Sequence, residues 1–385
     1  MAKARPRADS DTALATPAGG FGQRPVTRLP LLVMGMLALV FGVLAGLARL
    51  GVAVPDAGAR LAGLHGALLV CGFFGTVISL ERAVALGRPW AYLAPATAGA
   101  GGIALLLGLP TVTAQALFTA AAALLLFASA RIVARQAALF TVMLALGALA
   151  WLIGCLTWIA SGTLNAALGM WLCFLVLTIA GERLELTRLL PVRPAARPLF
   201  IVITAAMLVG AVVAPFAPRA GFALLGGGLA TLAAWLVVYD IARRNVRLDG
   251  LARFIAWCLL GGYLWLGLGG ALALAGGLAP GDGLRDSAIH AVMLGFVFAM
   301  VFGHAPIIFP AIMHVRIPYL AAFYLPLIAL HLSLLARLAG GLGGGFALQQ
   351  WGALANAWVL VLFVATLLSS VALGRRPPPG RRRQG

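Results

Sequence analysis

The sequence predicts an all-α protein, a polytopic transmembrane bundle of about twelve helices. Three observations carry that expectation. Hydrophobic residues make up 62% of the 385, charged residues 10%, and mean hydropathy is +1.03. A water-soluble domain with that balance could not cover its own surface. Apolar runs close to the ~20 residues needed to cross a bilayer recur from end to end. The basic residues also sort by side: with the N-terminus in the cytoplasm, 23 of the 28 Lys and Arg fall on the cytoplasmic face. That is the positive-inside pattern, and it accounts for the net charge of +18 without nucleic acid.

The spans follow in order. Span 1 covers 30–51 and carries Arg49 near its end. Span 2, 61–80, opens after Arg60 and closes on Glu81-Arg82. Spans 3 and 4, at 91–109 and 111–130, are parted by Pro110, and Arg131 ends the pair. Span 5 is 137–160 and span 6 is 164–181, which stops at Glu182-Arg183. Spans 7 and 8, at 198–217 and 220–239, flank Pro218-Arg219, and Asp240 closes the second. Span 9, 253–278, leads through a Gly- and Pro-containing turn to span 10, 286–305. Spans 11 and 12, at 318–338 and 352–373, complete the set.

Residues 1–29 and 374–385 read as solvated cytoplasmic tails around a single membrane domain, 30–373. No cleavable leader is expected, because the first 29 residues are polar and the first apolar run is long enough to span. The expected location is a bacterial-type inner (plasma) membrane with both termini cytoplasmic. Spans 1, 5 and 9 start near 30, 137 and 253, which suggests three pseudo-repeated blocks of four helices. Ile78-Ser79-Leu80-Glu81-Arg82 and Ile179-Ala180-Gly181-Glu182-Arg183 echo one another, and His304 takes the corresponding place on span 10. Glu81, Glu182 and Asp240, beside arginines at cytoplasmic helix ends, are expected to be solvated or paired there. Cys71, Cys155, Cys173 and Cys258 are scattered without a CxxC and read as packing residues.

Histidine carries the candidate chemistry. An imidazole in hydrocarbon is costly unless it is hydrogen-bonded, buried in the bundle or bound to a metal. His65 lies five residues after Arg60 and His290 five after Arg285, so each sits about 7 Å inside its flanking charge. His331 lies six residues before Arg337, about 9 Å below the same boundary. The three share a depth, which makes His65 and His290 candidate cofactor ligands and His331 a tentative metal ligand, with copper as one candidate. His304 is fourteen residues beyond His290, about 21 Å along the axis, and is the weakest metal candidate. Pro306 and Pro310 are expected to end or kink span 10 beside it, with His314 just beyond.

Twelve spans in three blocks, with an outer-side histidine on span 2 and another on span 10, resemble subunit I of haem–copper oxidases and nitric oxide reductases. The same outline is similar to the NnrS-type haem- and copper-containing membrane proteins. That resemblance implies a bis-imidazole haem between His65 and His290. It does not imply an oxygen- or NO-reducing binuclear centre, because spans 6 and 7 contain no histidine. Span 2 reads His65-Gly66-Ala67 where the NnrS-type pattern has His-Glu-Met.

The expected function is therefore haem binding with a redox, electron-transfer or NO-related accessory role, which leaves open whether the chain is an enzyme. Its partners would be the lipid bilayer and an electron donor or acceptor. A secondary transporter of a small solute is the alternative, opposed by the scarcity of charged residues at mid-membrane. A non-catalytic assembly protein is the third reading; it explains everything except the shared histidine depth. No Walker motif, HExxH or paired membrane aspartates are present, which excludes an ATP-driven pump on this chain and argues against intramembrane hydrolysis.

Overall fold

The computed structural model of the protein describes residues 25–187 and 193–375. Long apolar helices account for nearly all of that length, and no strand occurs among the described residues. Eleven helices are long and apolar enough to cross a membrane, so this is an integral membrane protein built as an all-α bundle. In chain order the helices are α1 (Pro25–Arg49), α2 (Ala62–Leu86), α3 (Leu93–Leu106), α4 (Thr111–Arg135), α5 (Leu139–Ser161) and α6 (Leu164–Thr187). They continue with α7 (Ala196–Val213), α8 (Pro218–Tyr239), α9 (Gly250–Gly277), α10 (Arg285–Met313), α11 (Ala321–Leu342) and α12 (Phe346–Gly374). Helix α3 is the short one. It has 14 residues where the apolar run promised a full span, because Pro89–Tyr92 forms a separate 3-10 turn.

Helix α1 begins at Pro25, inside the segment expected to be a tail. The rest of both expected tails, 1–24 and 376–385, lies outside the described residues. Packing follows chain order: α4 lies on α5, α8 on α9, and α12 returns to α1, so the helices close into a ring. Helices α2, α6 and α10 occupy its middle. Their most apolar windows are 61, 72 and 61% buried, against 33–56% in the other spanning helices. Contacts of α10 with both α2 and α6 join the three.

Helices α2 and α10 share a further irregularity. Each has a π-helical stretch just past its histidine, at Leu68–Phe74 after His65 and at Ala291–Phe298 directly after His290. Such insertions turn the helix face and cluster at functional sites. The two stretches meet through aromatic rings. Phe73 stacks on Phe298 at 6.1 Å between centroids, and Phe74 meets the same ring edge-on at 5.3 Å. Spans 2 and 10 are thus neighbours just below their histidines.

Of the two outcomes expected at Pro306 and Pro310, a helix end is ruled out: α10 runs through both and stops at His314, whose φ of 53° is left-handed. Asp240, expected to be solvated or paired, is buried and paired, as described below.

Close backbone approach holds the outer helix pairs, as expected where lipid supplies no hydrophobic drive. Between α7 and α8, a Cβ at Gly221 would lie 2.3 Å from the Ala214 nitrogen and 2.8 Å from the Gly210 oxygen. Both are backbone atoms and cannot swing away. At Gly227, a turn and a half further on, a Cβ would meet only a leucine methyl at 3.7 Å. Gly221→Leu should therefore destabilise the detergent-solubilised protein by about 1–3 kcal/mol or more. Gly227→Leu should leave its thermal unfolding midpoint nearly unchanged.

Candidate functional site

His65 is placed by a tight entry into α2. The chain leaves α1 at Arg49, forms the short helix Asp56–Ala59 and the 3-10 turn Ala62–Leu64, and begins α-helix at His65 itself. A hydrogen bond from the Arg60 guanidinium to the Leu106 carbonyl, 3.0 Å, pins that entry to the end of α3. The ring lies along α1, where a Cβ at Gly46 would come within 3.6 Å of Cδ2. Its Nδ1 is buried and has no hydrogen-bond partner among the described residues. A Cβ at Gly63 or Gly66 would meet nothing within 4 Å. The glycines flanking His65 thus border open space.

His290 is held far more firmly. Its Nδ1 lies 2.7 Å from the Asp286 carbonyl and 3.2 Å from the carboxylate Oδ1 of the same residue, one turn earlier on α10. Asp286 is itself gripped: Arg337 of α11 donates to both carboxylate oxygens at 2.9 and 2.7 Å, and Gln349 of α12 donates to Oδ2 at 3.1 Å. With Nδ1–H donated along this chain, the lone pair sits on Nε2. A carboxylate behind one ring nitrogen fixes the tautomer and raises the basicity of the other.

The two histidines converge on one cavity of about 700 Å³. His65 and His290 both line it, and they lie within electrostatic reach of one another. Leu69, Leu168, Met293 and Phe298 supply apolar wall, and Trp158 with Trp171 closes one side. Those two indoles meet at 82° with centroids 5.7 Å apart. Gly154 makes room for the second: a Cβ there would lie 2.4 Å from its ring. Polar groups gather at one rim, where Arg49 and Arg285 join Asn165 and Gln115. Arg285 donates to the Asn165 side chain at 2.9 Å and to the Leu278 carbonyl. The arrangement is an apolar slot with an imidazole from each of two inner helices and guanidinium groups at its mouth.

The other candidate histidines are elsewhere. His331 packs on α9, where a Cβ at Gly261 would lie 2.7 Å from Nε2, and its Nδ1 accepts the indole N–H of Trp265 at 2.9 Å. Accepting at Nδ1 places the proton of the neutral ring on Nε2, so neither nitrogen has a free lone pair there. His304 lies at the opposite end of α10. Its Nδ1 is 2.7 Å from the Met300 carbonyl and its Nε2 is 3.3 Å from the Arg183 guanidinium. Arg183 also pairs with Asp240 at 2.9 Å, and the two side chains are only 3% and 0% exposed. The second Asp240 oxygen accepts the backbone N–H of Ala242 at 2.7 Å. Among the described residues no three His, Cys, Asp or Glu side chains cluster so as to hold a metal ion.

Sequence reasoning passed over Asp286, Arg337 and the cavity arginines. Asp286 was legible in principle, because four residues before His290 is the spacing that places both on one helix face. Arg337 was read as a boundary charge, yet it is 7% exposed. Only its partner on another helix reveals its role.

A family model for a domain of unknown function, DUF8744, matches residues 28–372, so the chain belongs to that family. No curated protein matches it.

The buried pair at the far end makes a specific stability claim. Removing one partner leaves the other charge stranded, which costs about 3–5 kcal/mol, whereas replacing both is far less damaging. Asp240→Leu alone should therefore lower the unfolding midpoint sharply. The double variant Arg183→Met, Asp240→Leu should recover much of that loss, as measured by thermal unfolding in detergent.

Proposed function

We propose that this protein is an integral membrane haem-binding protein with a redox, electron-transfer or NO-related accessory role. The observation that carries the reading is the convergence of His65 and His290 on one apolar cavity. Its size falls within the range of about 300–1,000 Å³ typical of cofactor sites. The donor set fits the group. His290 presents a carboxylate-backed imidazole, and His65 has an uncommitted ring beside open space. Arg49 and Arg285 at the rim suit the two carboxylates on one edge of a haem. The resemblance to haem–copper and NnrS-type proteins, whose axial histidines occupy these same two spans, points the same way.

A haem held by His65 and His290 would supply one-electron redox chemistry, tuned by those two imidazoles. The chain's own residues do the rest. The apolar wall would pack against the faces of the haem ring. The Asp286 carboxylate holds the His290 ring in one tautomer, and Arg337 keeps that carboxylate charged and aimed. His65 has no such support, so His290 is the anchored ligand and His65 the exchangeable one. An exchangeable position is what binding of a diatomic ligand requires, and it links the site to NO rather than to electron carriage alone. On the positive-inside reading of the sequence the cavity would lie in the outer half of a bacterial-type inner membrane, with both termini cytoplasmic, and an electron partner would approach from the outer face.

Absorption spectra of the purified protein, oxidised and reduced, test this together with a pyridine haemochrome assay. The expected result is a Soret band with sharp reduced α and β bands. His290→Ala should lose the haem, and Asp286→Asn should weaken its retention by about 10–100-fold. His65→Ala should keep a five-coordinate haem that binds carbon monoxide. A folded, colourless protein that takes up no haem on reconstitution would overturn the proposal and turn attention to transport of a solute through the same cavity.

A further inference from the structure

The far end of the bundle carries a second cavity, of about 780 Å³, that the haem reading does not use. It opens between the ends of α5, α6, α7 and α8, where the chain turns through the short helix Ala242–Asn245. Five arginines border it: Arg193, Arg197, Arg243, Arg244 and Arg247. None of the five forms an ion pair among the described residues. Asp240 also reaches the cavity, but its two oxygens are committed to Arg183 and to the Ala242 N–H. The cavity therefore concentrates positive charge with no carboxylate left to balance it.

The floor and sides are not those of a site for a bare anion. Trp235 and Tyr239 form an aromatic shelf, with rings 5.2 Å apart, and Arg193 lies over the Tyr239 ring at 5.6 Å. The Trp235 indole N–H donates to the Ala196 carbonyl at 2.9 Å, which fixes the shelf against α7. Val238 on the rim is 42% exposed, and Leu199 and Val202 of α7 are exposed beyond it. In a membrane-spanning bundle those side chains face acyl chains. The cavity sits at helix ends, the depth of lipid headgroups, and its aromatic and basic residues are those that settle at that interface.

We propose that this cavity is a binding site for an anionic phospholipid. The arginines would hold the headgroup phosphate, and the acyl chains would run along the exposed apolar side chains of α7 and α8. Basic pockets between helices at the cytoplasmic leaflet recognise acidic headgroups in this way, and paired guanidinium N–H groups match phosphate oxygens. Arginines that merely obey the orientation rule would give weak, unsaturable attraction to any negative surface. A concave site gives saturable, stoichiometric binding.

Native mass spectrometry and thermal unfolding of the delipidated full-length protein decide between these. The probes are phosphatidylglycerol, phosphatidylcholine with the same acyl chains, and inorganic phosphate. The proposal expects a one-to-one phosphatidylglycerol adduct and a saturable rise in unfolding midpoint, with at least tenfold weaker binding of the other two. The variant Arg193→Gln, Arg197→Gln, Arg247→Gln should lose at least tenfold in affinity for phosphatidylglycerol. The milder Arg243→Gln, Arg247→Gln should lose a smaller part if the triple variant does not fold. Arg131→Gln, Arg135→Gln, at the exposed end of α4 and outside the cavity, should change nothing. Equal binding of both lipids, a matching effect from phosphate alone, or the same loss in the Arg131 and Arg135 variant would overturn it.

Discussion

In a bundle this apolar a carboxylate keeps its charge only where donors and cations surround it, and the Asp286 site depends on that constraint. Asp286 sits in the first turn of α10. Arg337 comes to it from α11 and Gln349 from α12, while His290 stands one turn further along its own helix. One side chain thus sets the relative placement of three helices and the orientation of an imidazole. The packing around it is built to match. Helix α12 presses Gly352 against the backbone of Arg337 itself, where a Cβ would come within 2.4 Å of its nitrogen. The guanidinium is held by its backbone as well as by its partner, and little freedom is left for His290 to turn away from the cavity.

Helix α10 is anchored by polar groups at both ends with an irregular apolar stretch between. At the far end His304 meets Arg183, which is buried against Asp240, so α6 and α8 are tied to α10 as α11 and α12 are near His290. The π-helical stretch Ala291–Phe298 lies between these anchors, and the matching stretch on α2 faces it through Phe73, Phe74 and Phe298. Pinned ends explain why an irregular helix can persist in the middle of the bundle. The widened turns are packed by large rings, and Phe298, one of those rings, also lines the cavity.

Much of the fold was legible in the sequence because lipid imposes simple rules. Twelve apolar runs become helices at nearly their expected positions, and the depth shared by His65 and His290 does correspond to a common cavity. What was not legible depends on which helix faces which. His331 shares that depth but turns toward Trp265, a partner on another helix that depth in the membrane does not reveal. Asp240 was expected to be solvated or paired, and it is paired, but the sequence could not show that its partner is Arg183, 57 residues earlier. The length of α3 was overestimated at both ends: Tyr92 belongs to the 3-10 turn that Pro89 starts, and the chain turns at Leu107-Gly108, where Gly108 has a φ of 73°. Pro306 and Pro310 mark no helix end, since neighbouring helices support α10 past both of them.

The contrast between His65 and His290 says most about function. On the haem reading, two histidines that only saturated an iron would each need a hydrogen-bond partner to fix the ring. The chain commits Asp286, Arg337 and Gln349 to His290 and nothing comparable to His65, whose Nδ1 is buried without a partner. Leaving a buried imidazole nitrogen unpaired costs about 1–3 kcal/mol, so the His65 ring is held less firmly than that of His290. Under the haem reading proposed above, His290 would be the fixed ligand and His65 the yielding one, an arrangement that would suit a small diatomic molecule better than a closed pair would.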